Sequence, residues 1–139
     1  MVTKAEVDRI ADMEKIIEED WEWERQRANF IGEATVYCLG ADINLVLKAW
    51  KRDKYGFVLL YRGSKIVRRW DNSTHTNPDG ETIEGSHKHY WDEDHEDRFA
   101  YPVDDIATDD VDEGFIDFLD GCNIELHGSY TRQLELREQ

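Results

Sequence analysis

The sequence has little cysteine, little proline and few basic residues. Its 139 residues include only two cysteines, Cys38 and Cys122, and two prolines. The two cysteines lie far apart and no C-x-x-C pair occurs, which excludes a cysteine-rich zinc site. Two small buried thiols in a reducing compartment are the simplest interpretation.

Long hydrophobic runs are also absent. No stretch approaches the roughly 20 apolar residues that a membrane-spanning helix needs, and the first residues do not form the apolar region of a signal peptide. We therefore expect a cytoplasmic protein that does not bind membranes.

The motifs G-x-S-x-G, G-x-x-x-x-G-K-[ST], G-x-G-x-x-G and H-E-x-x-H do not occur, so the usual signatures of a serine hydrolase, a nucleotide-binding loop and a zinc protease are missing.

Acidic residues dominate the charge. There are 32 acidic residues against 17 basic ones, a formal net charge of −15. This charge disfavours direct binding to nucleic-acid phosphates. It is compatible with adaptation to high salt, with mimicry of nucleic acid toward a protein partner, and with plain solubility. Five Trp, six Tyr and five Phe indicate a packed core rather than a disordered tail, and the length predicts a single domain over residues 1–139.

The N-terminal segment predicts an amphipathic helix. Thr3 stands three residues before Glu6, which is the spacing of a capping box. Ile10, Met13 and Ile17 follow at helical steps of three and four. An acidic run comes directly after Ile17, where the helix dipole disfavours negative charge, so we expect the helix to fray there.

The central part of the chain predicts an antiparallel sheet. Apolar residues alternate with polar ones in several short segments with brief connections, and Asn-Pro-Asp-Gly at residues 77–80 is a strong turn signal. The predicted strands are five or six, at residues 35–39, 43–50, 57–61, 66–70, 87–91 and 98–103.

The last third of the chain predicts a second helix and a final strand. Asp109 or Asp110 can cap the helix, Gly121 suits its end, and alternation at 130–136 favours a strand. The complete prediction is an α+β fold: an N-terminal helix, a curled, mainly antiparallel sheet of five to six strands, a C-terminal helix and a final strand, with the helices on one side of the sheet.

Histidines concentrate in the central region. His87 and His89 are two residues apart on a predicted strand, so both side chains project from the same face. Such a pair can hold a divalent transition metal, with His75 or an aspartate as a third ligand. It can also work as a general base and a general acid, or one imidazole can be structural while the other is solvated.

Two neighbouring arginines are candidates to assist the histidines. Arg68 and Arg69 point to opposite faces of their predicted strand, so one of them can share a face with the histidine pair. An arginine there would bind an anionic group, or it would pair with one of the many carboxylates.

Several motifs of this region resemble a family of small, uncharacterised prokaryotic proteins that occur in bacteria, archaea and mobile elements. The motifs are Arg69-Trp70-Asp71, His75-Thr76-Asn77-Pro78-Asp79-Gly80-Glu81, His87-Lys88-His89-Tyr90 and Asp97-Arg98-Phe99-Ala100-Tyr101-Pro102. The chain departs from the pattern at Ser86, where the family has proline. The resemblance brings no activity, but it implies proximity to toxin–antitoxin and phage-defence genes. It also implies that six residues belong together: His75, Asn77, Asp79, His87, His89 and Tyr101.

Two functional hypotheses follow. The first is a non-catalytic binding protein that acts on another protein, by nucleic-acid mimicry or in the manner of an antitoxin. The alternative is a toxin-like nuclease in which His87 and His89 serve as general base and general acid, with His75 nearby. Arg68 or Arg69 would stabilise the phosphorane that forms during phosphodiester cleavage. A halophilic protein whose charge is only salt adaptation is a further alternative.

If the charge is salt adaptation, raising KCl to multimolar concentrations should raise the thermal unfolding midpoint, because screening reduces self-repulsion. A series of melts from low to high KCl measures this. A midpoint that stays constant or falls contradicts salt adaptation.

Overall fold

The structure is a computed structural model that describes residues 3–62, 65–73, 75–85, 87–92, 96–103 and 110–131. Within these ranges there are two helices, α1 (Lys4–Asp12) and α2 (Val111–Gly121). The strands in chain order are β1 (Lys15–Ile17), β2 (Glu24–Gln26), β3 (Asn29–Cys38), β4 (Asn44–Lys51), β5 (Tyr55–Tyr61), β6 (Lys65–Asp71), β7 (His75–Thr76), β8 (Thr82–Ile83), β9 (His87–Asp92), β10 (Glu96–Pro102) and β11 (Ile124–Leu126).

One large open sheet organises the fold. Its strands follow the order β10-β9-β6-β5-β4-β3-β1-β11, with β2 paired to β3. The pairing is antiparallel except between β1 and β11. Strands β7 and β8 form a separate two-stranded hairpin. The α+β prediction with a mainly antiparallel sheet is confirmed, but within the described ranges the sheet has nine strands instead of five or six, because β1, β2 and β11 extend it.

The N-terminal helix begins as predicted and ends early. The Thr3 side chain accepts a hydrogen bond from the backbone N–H of Glu6 at 3.2 Å, which caps the helix. The prediction that the helical face continues to Ile17 was wrong, because residues 15–17 form β1 and pair with both β3 and β11. Sheet pairing has overridden the helical spacing there.

Both helices pack on one face of the sheet. Phe118 of α2 stacks on Phe57 of β5, with ring centroids 5.4 Å apart, and meets Trp70 of β6 edge to face at 5.2 Å. On the same face of β6, Arg68 reaches Asp8 of α1. The helices therefore cover this face and leave the opposite face of β6 and β9 to the β7–β8 hairpin.

The C-terminal part confirms a helix followed by a strand. The Asp110 side chain accepts from the backbone N–H groups of Asp112 and Glu113, as a capping residue does. The strand after the helix is β11 at Ile124–Leu126, which is earlier than the predicted 130–136, and Tyr130 makes an isolated bridge with Trp21. Residues 132–136 of the predicted final strand lie outside the described residues. Cys38 and Cys122 are both buried and free, as predicted.

A buried lysine joins the ends of the two helices. The Lys15 residue is 1% exposed, and its Nζ donates to the carbonyls of Ala11, Met13 and Cys122 at 2.7–2.8 Å. Ala11 and Met13 lie at the C-terminus of α1, and Cys122 follows the C-terminus of α2. The ammonium group thus satisfies carbonyls at the negative ends of both helix dipoles. Burial lowers the pKa of Lys15.

Replacing Lys15 by methionine should destabilise the fold by about 2–4 kcal/mol, because the side chain keeps its volume while three buried carbonyls lose their donor. Denaturant unfolding measures the change. Lys48→Met at an exposed position is the control and should shift the free energy of unfolding by less than about 0.5 kcal/mol. Equal effects of the two substitutions would contradict the role of Lys15.

Candidate metal-binding site

The candidate site lies where β6 ends beside β9. The register pairs Asp71 with His87 and Trp70 with Lys88. Because side chains alternate along a strand, Asp71, His87 and His89 share the face turned away from the helices. The prediction that His87 and His89 project from the same face is confirmed. Both residues are buried, at 0% and 4% exposure.

Three imidazoles and one carboxylate converge at this point. One ligand atom from each of His75, His87 and His89 can be chosen so that all three lie within 4.8 Å of one another. The Nε2 atoms of His87 and His89 are 3.1 Å apart. The Asp71 carboxylate lies 2.9 Å from His87 Nε2 and 3.7 Å from His89 Nε2. The three histidines could hold a metal ion, and Asp71 lies beside two of them.

Backbone carbonyls orient two of the rings. His87 Nδ1 lies 3.0 Å from the carbonyl oxygen of Gly85, and His75 Nε2 lies 2.7 Å from that of Arg98. A carbonyl oxygen only accepts, so each of these ring nitrogens donates. The remaining nitrogens, His87 Nε2 and His75 Nδ1, carry the lone pair when the rings are neutral. Metal-binding histidines are commonly oriented by a carbonyl in this manner.

Asp71 is the charged centre of the group. Its side chain is 1% exposed and accepts hydrogen bonds from the hydroxyl and the backbone N–H of Ser73 at 2.8 and 3.2 Å. Burial raises the pKa of the carboxyl, but the hydrogen bonds from His87 and His89 outweigh burial and hold this pKa well below its usual value. Burial lowers the pKa of His87, but the Asp71 carboxylate and the Gly85 carbonyl raise it overall.

An asparagine attaches the β7–β8 hairpin to the sheet. The Asn77 side chain donates to the carbonyl of Ala100 at 3.0 Å and accepts from the N–H of Ala100 at 2.8 Å. Ala100 pairs with His89 in the β9–β10 ladder. The turn after Asn77 is confirmed: the N–H of Gly80 donates to the carbonyl of Asn77 at 2.8 Å, and Gly80 has a φ of +91°. The double hydrogen bond therefore sets the position of His75 over the histidine pair.

The two arginines separate as the alternation predicts. Arg69 shares the histidine face, and its Nε lies 3.3 Å from Asp71 Oδ2. Arg68 lies on the opposite face, where its Nη2 is 3.3 Å from Asp8 Oδ1. The structure thus does not bring Arg68 to the histidine cluster.

The resemblance groups six residues, and the structure brings four of them together. His75, His87, His89 and Asn77 meet at the site. Asp79 is exposed and accepts from the N–H of Glu81 within the hairpin. Tyr101 is 45% exposed and pairs with Lys88 in the ladder, which places it on the helix-bearing face.

Asp71 is not among the site residues that the sequence predicts. It ends the motif Arg69-Trp70-Asp71, and the period-two pattern that assigned faces to the arginines assigns Asp71 to the same face as Arg69. The signal that could have identified Asp71 was its position as a carboxylate at the end of a strand, directly before Asn72 and Ser73. The sequence did not reveal the register between β6 and β9. This register places Asp71 beside His87, which is 16 positions further along the chain.

A family model described as a family of unknown function (DUF6978) matches residues 2–124 of the chain. The chain belongs to this family. The match spans α1, the described sheet as far as Ile124 and the whole histidine cluster. No curated protein and no solved structure matches the chain. Among the described residues, no helix is long and apolar enough to cross a membrane.

With metal ions removed by a chelator, the free energy of unfolding should fall as the pH rises above about 6.5. Folding raises the pKa of His87 above its usual 6.5, so the folded state binds this proton more tightly than the unfolded state. The resulting stability is complete below the unfolded pKa and is lost as the pH rises through the folded pKa. The contribution of Asp71 stays constant in this range, because its pKa lies far below it.

Denaturant unfolding of the chelated protein between about pH 5.5 and pH 9 measures this loss. The His87→Gln variant should show a smaller dependence, whereas His127→Gln, which alters a half-exposed histidine outside the cluster, should behave as the parent protein. An unfolding free energy with the same pH dependence in all three proteins would contradict the prediction.

Proposed function

We propose that this protein binds a divalent transition metal of the zinc class through His75, His87 and His89, with Asp71 as the fourth ligand. The metal would connect the end of β6 and strand β9 to the β7–β8 hairpin. The observation that carries the proposal is the convergence of three imidazoles within 4.8 Å of one another, two of which lie beside the buried carboxylate of Asp71.

The tautomers favour a cation at the centre of the group. When His87 Nδ1 donates to Gly85, a neutral His87 turns the lone pair of Nε2 toward Asp71 Oδ1 at 2.9 Å and toward His89 Nε2 at 3.1 Å. The lone pair of a neutral His87 Nε2 and the carboxylate oxygen of Asp71 repel one another in this buried space. A second proton on His87 relieves this repulsion, and so does a metal ion bound by both atoms.

The separations fit a small ion. Zinc binds nitrogen at about 2.0–2.1 Å in tetrahedral sites, which places neighbouring ligand atoms about 3.3 Å apart. The 3.1 Å between the two Nε2 atoms and the 2.9 Å from His87 to Asp71 are close to this spacing. Imidazole with carboxylate is a ligand set of zinc and of other first-row metals, and hard ions such as magnesium prefer oxygen alone.

Burial favours binding over direct catalysis by the two histidines. The side chains of His87 and His89 are 0% and 1% exposed, so a polymer substrate does not reach their Nε2 atoms directly. A nuclease with His87 as base and His89 as acid stays a prediction. So do the cytoplasmic location and the association with toxin–antitoxin or phage-defence genes.

The surface charge connects the metal site to the binding-protein hypothesis. A metal that fixes the hairpin would give a rigid module whose net charge of −15 suits a basic surface on a protein partner. Mimicry of nucleic acid, an antitoxin-like role and salt adaptation remain the alternatives that the charge allows.

The proposal is tested by removing all metal and titrating zinc back in competition with a chelator. We expect one zinc per chain and, at a free zinc concentration of about 100 times the dissociation constant, a stabilisation of about 2.7 kcal/mol. For a chain of this length, that corresponds to a rise of roughly 5–10 °C in the unfolding midpoint.

His75→Ala and His89→Ala should abolish the zinc-dependent shift, and Asp71→Asn should weaken it. His127→Ala removes a histidine outside the cluster and is the matched control that should keep the full shift. The absence of metal in the purified protein, together with no shift on adding zinc, cobalt or nickel, would overturn the proposal.

A further inference from the structure

Strands β3, β4 and β5 share an outer face on which no described helix or strand packs. Both helices lie on the other side of the sheet, and the β7–β8 hairpin is hydrogen-bonded to β10 and lies over the histidines of β9. The outer face consists of the side chains that alternate with the core positions: Ile31, Glu33, Thr35, Tyr37, Asn44, Val46, Lys48, Trp50, Gly56, Val58 and Leu60. Its apolar side chains are half-buried or exposed, with Tyr37 at 38% and Trp50 at 37% exposure.

Strand β5 has the sequence of a strand that is covered on both faces. Every residue from Tyr55 to Tyr61 is aliphatic, aromatic or glycine. An antiparallel strand with one face in water usually alternates apolar and polar residues, whereas a continuous apolar run is typical of a strand with both faces covered. The core takes up Phe57 and Leu59. Val58 and Leu60 point the other way, so the outer face has the composition of a contact surface.

The largest side chain of the outer face lies flat on the sheet. The register pairs Trp50 with Gly56, and a Cβ at Gly56 would stand 2.7 Å from the indole ring. The indole therefore lies over the glycine instead of projecting away from the sheet. A flat face with a fixed aromatic ring suits sheet-on-sheet packing, in which two sheets lie about 10 Å apart, and a fixed ring loses little side-chain entropy on binding.

The outer face is neutral, although the chain carries a net charge of −15. Its charged residues are Glu33 and Lys48, which are register partners and whose Oε1 and Nζ atoms lie 4.0 Å apart. A strongly basic partner would have to bury several cations against apolar side chains, which is costly. The matching surface must therefore be apolar and nearly neutral. The outer face of another copy has this composition, and it is self-complementary because each copy offers one anion and one cation.

We infer that the outer face binds the outer face of a second copy of this chain, which gives a symmetric dimer. A twofold axis brings the same surface of both copies together, and the two sheets then pack as in a β-sandwich, at about 30°. Three strands about 4.8 Å apart make a face smaller than the roughly 800 Å² that a standard interface buries on each partner. We therefore expect a weak dimer with a dissociation constant of about 10–100 μM.

Sedimentation equilibrium of the protein, in a chelator and at about 50 mM and about 1 M KCl, measures this association. The chelator removes metal ions that could bridge two copies, so the result is independent of the zinc proposal. We expect a reversible monomer–dimer equilibrium that is tighter at 1 M KCl, because salt screens the repulsion between two chains of the same charge. A chain that stays monomeric up to about 1 mM at both salt concentrations would overturn the inference and leave the outer face to a different protein. A dimer that weakens at 1 M KCl would also contradict it, since ion pairs would then hold the copies together.

Substitutions locate the association on the outer face. Val58→Lys should raise the dissociation constant at least tenfold, because its ammonium group would lose water in the interface. Val58→Thr keeps the branched shape and the strand propensity; it should raise the constant at least about threefold and gives a second measurement if the lysine variant unfolds. The matched control is Ile116→Lys, which changes a residue of α2 that is 47% exposed and should associate as the parent protein does. Unchanged association in a folded Val58 variant, with folding checked by circular dichroism, would overturn the inference.

Discussion

The buried carboxylate of Asp71 constrains everything around it. An ionised carboxyl out of contact with water is costly unless donors surround it. Here those donors come from Ser73, two residues further along the chain, from Arg69 on the same strand, and from His87 and His89 on β9. The β6–β9 register is thus tied to this charge, because a shift by one residue would turn the histidines to the helix-bearing face and leave Asp71 without them.

The alternation of side chains gives the two faces of β6 and β9 different groups. On one face, carboxylate and imidazoles converge under the β7–β8 hairpin. On the other, Arg68, Trp70 and Lys88 meet α1 and the end of α2. Because Lys88 lies between His87 and His89 in the sequence, the alternation of side chains places its ammonium group on the opposite face from the two imidazoles.

Local sequence signals predicted much of the fold, and they did so where the cause is local. The Thr3 cap, the Asp110 cap and the turn at residues 77–80 depend on hydrogen bonds within a few residues. The common face of His87 and His89 follows from the geometry of any strand. The early end of α1 at Asp12 did not follow, because strand β1 forms only when Cys38 and Ile124 lie on either side of Lys15.

The sequence by itself determined the α+β architecture, the pairing of two histidines on one strand face and the excess of negative charge. Only the tertiary structure decided that His75 and Asp71 join that pair and that Arg68 does not. Two side chains reach backbone atoms 23 positions further along the chain: His75 contacts the carbonyl of Arg98, and Asn77 contacts that of Ala100. Every residue has such backbone atoms. Contacts of this kind leave no pattern in the side chains, so they become visible only when the strands are placed beside one another.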